Sequence, residues 1–146
     1  MPIRIRRALP ADAQALTNIM HASAAYSGRY ASILDGYAVT PAQIDRDVVF
    51  LAAGEKAISG FYSLTLEHEP ELDLMFVADG AQGTGLGGRL IDHMRTEARR
   101  RHIAAVRIVS HPPSVGFYQR MGATVIGTRP ATARATWERP ILILAV

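Results

Sequence analysis

The chain has 146 residues, 49% hydrophobic and 20% charged, which suits one soluble globular domain over 1–146 with an ordinary core. Its net charge is +3 and it has no cysteine, so disulfides, a thiolate nucleophile and Cys/His metal spacing are excluded, no metal is expected, and a cytoplasmic location is the default. No apolar run approaches the roughly 20 residues of a membrane helix, and the opening Met1-Pro-Ile-Arg-Ile-Arg-Arg lacks the apolar core of a secretory signal, so no membrane partner is expected.

Residues 3–8 alternate apolar positions with Arg4 and Arg6, as a half-buried strand does. Pro10 opens a helix with Leu16, Ile19, Met20 and Ala24 on one face. Residues 26–39 hold Gly28, Gly36, Tyr26, Tyr30 and Tyr37 and read as a loop. Thr40-Pro41-Ala42-Gln43 has the form of a capping box with proline at the first helical position, predicting a short helix to about Asp47. Strands follow over 48–53, 57–66 and 71–78, the first two joined by a tight turn at Gly54-Glu55-Lys56. Strict alternation in the third puts Leu72, Leu74 and Phe76 on one face and Glu71, Asp73, Met75 and Val77 on the other.

A helix over 84–101 aligns Leu86, Leu90, Ile91, Met94 and Ala98. Arg99-Arg100-Arg101 at its end complements the negative helix terminus, a commoner use than a nucleic-acid patch. A strand over 104–110, a short helix over 113–121 closed by Gly122, and strands over 123–127 and 141–145 complete the chain. The long helix is a crossover, so strands 71–78 and 104–110 run parallel. Hairpins join the earlier strands, giving a mixed sheet in an α/β (α+β) domain.

The most telling stretch is Asp79-Gly-Ala-Gln-Gly-Thr-Gly-Leu-Gly-Gly-Arg-Leu90, a glycine-rich loop between strand and helix. Glycines there let backbone N–H groups approach a ligand, and the helix start adds unpaired donors, so a pyrophosphate is the natural guest. A P-loop needs a lysine that is absent, because Lys56 is the only one in the chain. A dinucleotide fingerprint is met literally by Gly83, Gly85 and Gly88, but the next strand ends in Ser110-His111-Pro112-Pro113 without the acidic residue that holds a ribose.

The third pattern is Q-x-x-G-x-G, spelled Gln82-Gly83-Thr84-Gly85-Leu86-Gly87. It resembles the acetyl-CoA loop of the GNAT superfamily of N-acetyltransferases. The segment His111-Pro-Pro-Ser-Val-Gly-Phe-Tyr118-Gln-Arg-Met-Gly122-Ala is similar to that family's later helix–glycine–strand motif. Together the likeness covers most of residues 3–127. It implies a mostly antiparallel twisted sheet flanked by about four helices, acetyl-CoA as cosubstrate and a primary amine as acceptor. It also implies that the backbone of Met75, Phe76 and Val77 pairs with the pantetheine arm like an added strand. The matching tyrosine, Tyr118, would protonate the leaving thiolate. Its phase supports this: Phe117 and Met121 share a core face, while Tyr118 is turned away on the face of Ser114. His111 departs from the family, which often has a cofactor-binding asparagine there. Histidine can still donate a hydrogen bond.

A protonated amine is not a nucleophile, so some group must take its proton. Glu71 or Asp73 is positioned for this, with Glu71 favoured by alignment to the family. Asp35, Glu67, Glu69 and Glu71 are suited to draw a cationic amine, and Tyr26, Tyr30, Tyr37 and Trp137 to wall its pocket. His68, between Glu67 and Glu69, is no metal site, because neighbours on a strand point to opposite faces. Two alternatives stay open: action on aminoacyl-tRNA or another nucleic-acid-linked amine, suggested by the basic composition, and a CoA-binding domain without catalysis. Nucleic acid is the less favoured partner, and a homodimer is one expected assembly.

Overall fold

The computed structural model describes residues 3–23, 34, 36–133 and 137–146. Ala24, Tyr26, Gly28, Tyr30 and Asp35, named above from sequence, lie outside the described residues. The elements are β1 (Arg4–Arg7), α1 (Ala13–Ala22), α2 (Pro41–Arg46), β2 (Val48–Ala53), β3 (Ile58–Thr65), β4 (Glu71–Val77), α3 (Leu86–Arg100), β5 (Ala105–Val109), α4 (Val115–Arg120), β6 (Thr124–Arg129) and β7 (Arg139–Ala145). The strands form one sheet in the order β1-β2-β3-β4-β5-β7-β6. Every neighbouring pair is antiparallel except β4 with β5, which the α3 crossover makes parallel. Among the described residues no helix is long and apolar enough to cross a membrane.

Two apolar layers cover the sheet. On one face α3 buries the stripe Leu86, Leu90, Ile91, Met94 and Ala98 against Leu72, Val106, Ile108, Leu142 and Leu144. On the other, Leu16 and Met20 of α1 and Ile44 of α2 pack on Val49, Leu51, Phe61 and Phe76. α3 also buries Glu97, which ion-pairs with Arg100 at 3.2 Å and Arg101 at 2.7 Å. The basic run at the helix end therefore compensates a buried carboxylate as well as the helix dipole.

Local chemistry sets the boundaries. The Thr40 hydroxyl accepts the Gln43 N–H at 3.1 Å and starts α2. The Gln43 amide instead donates toward Asp73 Oδ2 at 3.5 Å, tying α2 to β4. α3 starts two residues later than the sequence pattern predicts, because Gly85 takes a left-handed conformation with φ 82° as its cap. The ends of β6 and β7 extend further than predicted, to Arg129 and Arg139, which face each other across the pair.

The expected alternation along β4 fails at Asp73. Ser63 pairs with Leu74 and Leu64 with Leu72, so Asp73 is the extra residue of a β-bulge. The bulge resets the phase of the strand. Leu72 packs in the α3 layer, whereas Leu74 and Phe76 pack in the α1 layer, and Met75 and Val77 join the α3 side. A period of two holds only while each residue has one partner.

Gly60 of β3 lies where backbone approaches backbone. A Cβ there would sit 2.8 Å from the Phe76 carbonyl oxygen and 3.3 Å from Leu90 Cδ1. The Gly60→Ala variant should lose about 1–3 kcal/mol of stability. A thermal melt reads this directly, and an unchanged midpoint would show that β3 and β4 can separate without penalty.

Candidate active site

β4 and β5 begin together and then part. Glu71 pairs with Arg107, and the Arg107 N–H donates to the Pro70 carbonyl at 2.9 Å. Among the described residues the parallel register goes no further. Beyond it opens a cleft of about 790 Å³, within the usual range for small-molecule sites.

The cleft collects nearly all the residues expected from sequence to hold the cosubstrate or act in catalysis. Met75, Phe76 and Val77 form the β4 wall. Gln82, Gly83, Gly85, Leu86 and Gly87 close its end. The Gln82 amide donates to the Val77 carbonyl at 3.3 Å, holding the loop to the strand. Gly83 and Gly85 have φ of 76° and 82°, and a Cβ on either would meet nothing within 4 Å. The backbone conformation, not space, therefore demands glycine there. The N–H groups of the first α3 turn lack partners within the helix and stand at this end of the cleft with the positive end of its dipole. Thr84 does not line the cleft: it is exposed, and its hydroxyl donates to the Ala81 carbonyl of the same loop.

His111, Ser114 and Tyr118 form the opposite wall. His111 is buried at 3% exposure, at the turn that follows β5. Tyr118 is less separate from the core than its helical phase suggests. It is half-buried, packs against the same layer as Phe117 and Met121, and meets Phe117 edge-on with centroids 5.2 Å apart. A six-residue helix is short enough for one aromatic ring to touch both core and cleft. α4 is fixed by its end, where Arg95 of α3 donates to the Met121 carbonyl and Gly122 turns away with φ 101°.

Glu71, Asp73 and Tyr37 line the remaining end. The Tyr37 hydroxyl donates toward Asp73 Oδ2 at 3.4 Å, and Gln43 reaches the same oxygen at 3.5 Å. Burial raises the Asp73 pKa, and Glu71 and Asp47 push it further the same way, against the Tyr37 hydrogen bond and Arg46. Asp73 keeps solvent contact at the cleft mouth, so the rise is smaller than full burial would give. The Tyr37 hydroxyl is also raised, by burial and by Asp73.

Among the described residues the other acidic candidates have basic partners. Glu67 lies 3.5 Å from Arg46, and Glu69 pairs with Arg107. Both line a shallow depression beside the cleft together with His68. Trp137, expected to wall the pocket, is buried at 3% exposure and does not line the cleft. The sequence reading missed Gln43, whose only signal was its place in the capping box. It also missed Arg129 and Arg139, which line the cleft through a strand register that local pattern does not reveal.

Comparison with known proteins agrees with this geometry. The family profile described as "Acetyltransferase (GNAT) domain" matches residues 33–134. A curated protein of Pseudomonas phage PaMx11, "5-NmdU N-acetyltransferase", is 28% identical over 130 residues, covering 86% of this chain and 89% of its own. Among solved structures, a putative GNAT acetyltransferase from Desulfovibrio desulfuricans superposes with TM-score 0.80 at 18% identity, covering 99% of both chains. The PaiA N-acetyltransferase of Thermoplasma acidophilum, solved with coenzyme A, superposes with TM-score 0.80 at 17% identity over 100% of both. At these identities the structural likeness establishes the fold, and the family match extends over most of the cleft. The chain belongs to the GNAT family and is an acetyl-CoA-dependent N-acetyltransferase.

Proposed function

We propose that the protein transfers the acetyl group of acetyl-CoA to a primary amine by direct attack, with Tyr118 as general acid. The observation that carries this is the free β4 edge at Met75–Val77, lying between the glycine loop and Tyr118. An extended, amide-rich pantetheine arm would complete the sheet there, in place of the missing β5 pairing. The pyrophosphate would take the loop amides of Gln82, Gly83, Gly85, Leu86 and Gly87. His111 and Ser114 would border the arm from the opposite wall.

The acceptor ammonium loses a proton to Glu71 or Asp73, directly or through water. The neutral amine attacks the thioester carbonyl, and a β4 backbone N–H stabilises the oxyanion. The intermediate collapses with cleavage of the C–S bond as Tyr118 gives its proton to the sulfur, and the surplus proton on the new amide nitrogen passes to the Tyr118 oxygen, directly or through water, restoring the phenol. Glu71 is the base favoured from sequence; Asp73 joins it because its raised pKa suits a proton acceptor.

The curated relative's name supports a second, narrower choice of acceptor, 5-NmdU. Assaying 5-NmdU beside simple primary amines by thiol release distinguishes the two. Turnover of 5-NmdU alone would narrow the acceptor to it, and turnover of simple amines alone would exclude it.

Tyr118→Phe should lower kcat by about 10²–10⁴-fold while leaving acetyl-CoA affinity by calorimetry unchanged. Retained kcat would remove the tyrosine from the mechanism. The Asp73 pKa is raised in the folded state, so the protonated form is relatively favoured by folding, and that advantage is lost as pH rises through the elevated pKa. Asp73→Asn should therefore melt higher than the parent at neutral pH, with the gap closing as pH falls below the carboxylate range. A gap that widens on acidification would mean that Asp73 is stabilised as the anion.

A further inference from the structure

We infer that the acceptor of this enzyme carries an oxyanion, a phosphate or a carboxylate, which Arg129 and Arg139 bind at the acceptor end of the cleft. The inference rests on the acetyltransferase reading of the cleft and adds to it the chemical class of the acceptor.

The two faces of the sheet divide the cleft. Leu72, Val106, Ile108, Leu142 and Leu144 all point into the α3 layer. Glu71 and Arg107, their immediate neighbours, and Arg139, three residues before Leu142 on β7, therefore stand on the other face, that of α1 and α2. Arg129 lies directly opposite Arg139 in the β6–β7 register and shares its face. Asp73 joins them there, since its contacts run to Tyr37 and to Gln43 of α2. The glycine loop and the start of α3 lie on the α3 side. The phosphates of the cosubstrate thus have their own donors, on the face away from the arginine pair.

Arg129 and Arg139 are placed together in the cleft wall, facing each other across β6 and β7. Like charges directly opposite on neighbouring strands repel. Among the described residues neither makes an ion pair, which is also true of Arg4, Arg7, Arg89, Arg99 and Arg120, but only these two face each other across a strand pair in the cleft wall. The Nε of Arg139 is buried with no hydrogen-bond partner. Burial and the neighbouring Arg129 lower the affinity of Arg139 for its proton, and Glu71 opposes them without reaching it in an ion pair. Among the described residues no group fills the fork of this guanidinium, which lines the cleft together with Glu71 and Asp73. Phosphate and carboxylate match that fork in two-point geometry. The acceptor end is therefore bipolar, with carboxylates for the ammonium and paired guanidiniums for an anion on the same molecule.

The test is calorimetric titration of the CoA-saturated protein with three matched amines: phosphoethanolamine, β-alanine and ethanolamine. At least one of the two anion-bearing amines should bind about tenfold or more tightly than ethanolamine, the worth of one charge-assisted hydrogen bond. The tighter of the two identifies the oxyanion. The preference should vanish in Arg139→Gln and weaken in Arg129→Gln, with CoA affinity unchanged as the check on folding. Arg129 sits on the edge strand β6, so its variant stays informative if the Arg139 variant misfolds. Equal binding of ethanolamine, no binding of either anionic amine, or a preference that survives both substitutions would overturn the inference. Failure of the parent protein to bind CoA would instead sink the acetyltransferase reading itself.

Discussion

The parting of β4 from β5 beyond Glu71 and Arg107 is the constraint on which the rest of the molecule turns. Parallel neighbours normally satisfy each other's backbone groups along their whole length. Here the edge of β4 over residues 72–77 faces a cleft instead, and its N–H and C=O groups need partners from elsewhere. The bulge at Asp73 sits just where the strands separate. Bulges bend a strand and increase its twist, so the residue that breaks the ladder also aims the free part of β4 across the cleft.

Much of the cleft is held in place by packing and hydrogen bonds behind its walls. The α3 stripe fixes the helix whose first turn meets the glycine loop. The Tyr62 hydroxyl and His93 Nδ1, 2.9 Å apart, tie β3 to the middle of that helix. Arg95 ties the end of α4 to α3 and so sets the ring of Tyr118. On the opposite face, α2 brings Gln43 to Asp73, and the loop before it brings Tyr37. A chemical group placed by several packed elements is held more precisely than one carried on a loop alone.

The parts of the site legible in the sequence were those built from consecutive residues. The loop of Gln82–Gly87 and the helix bearing Tyr118 each lie within a short window, and glycine positions report backbone conformation directly. Asp73 was legible as an acid but not as a bulge, because a bulge is a relation between two strands. Its phase error carried Leu72 to the wrong face relative to Leu74 and Phe76. Trp137 looked like a pocket wall because aromatic residues in a loop are ambiguous until their burial is known.

By itself, the sequence determined the order and type of the elements, the parallel β4–β5 step, the glycine-rich loop at the start of α3 and the family they belong to. Each depends on local spacing or on the handedness of a single crossover. Only the tertiary structure decided that β4 and β5 part after one pair, that Asp73 is squeezed out of register, and that Arg129 and Arg139 stand together over the cleft beside Glu71. These follow from which residues face each other across strands up to tens of positions apart in the chain. That pairing is fixed by the packing of both layers at once, which no window of the sequence contains.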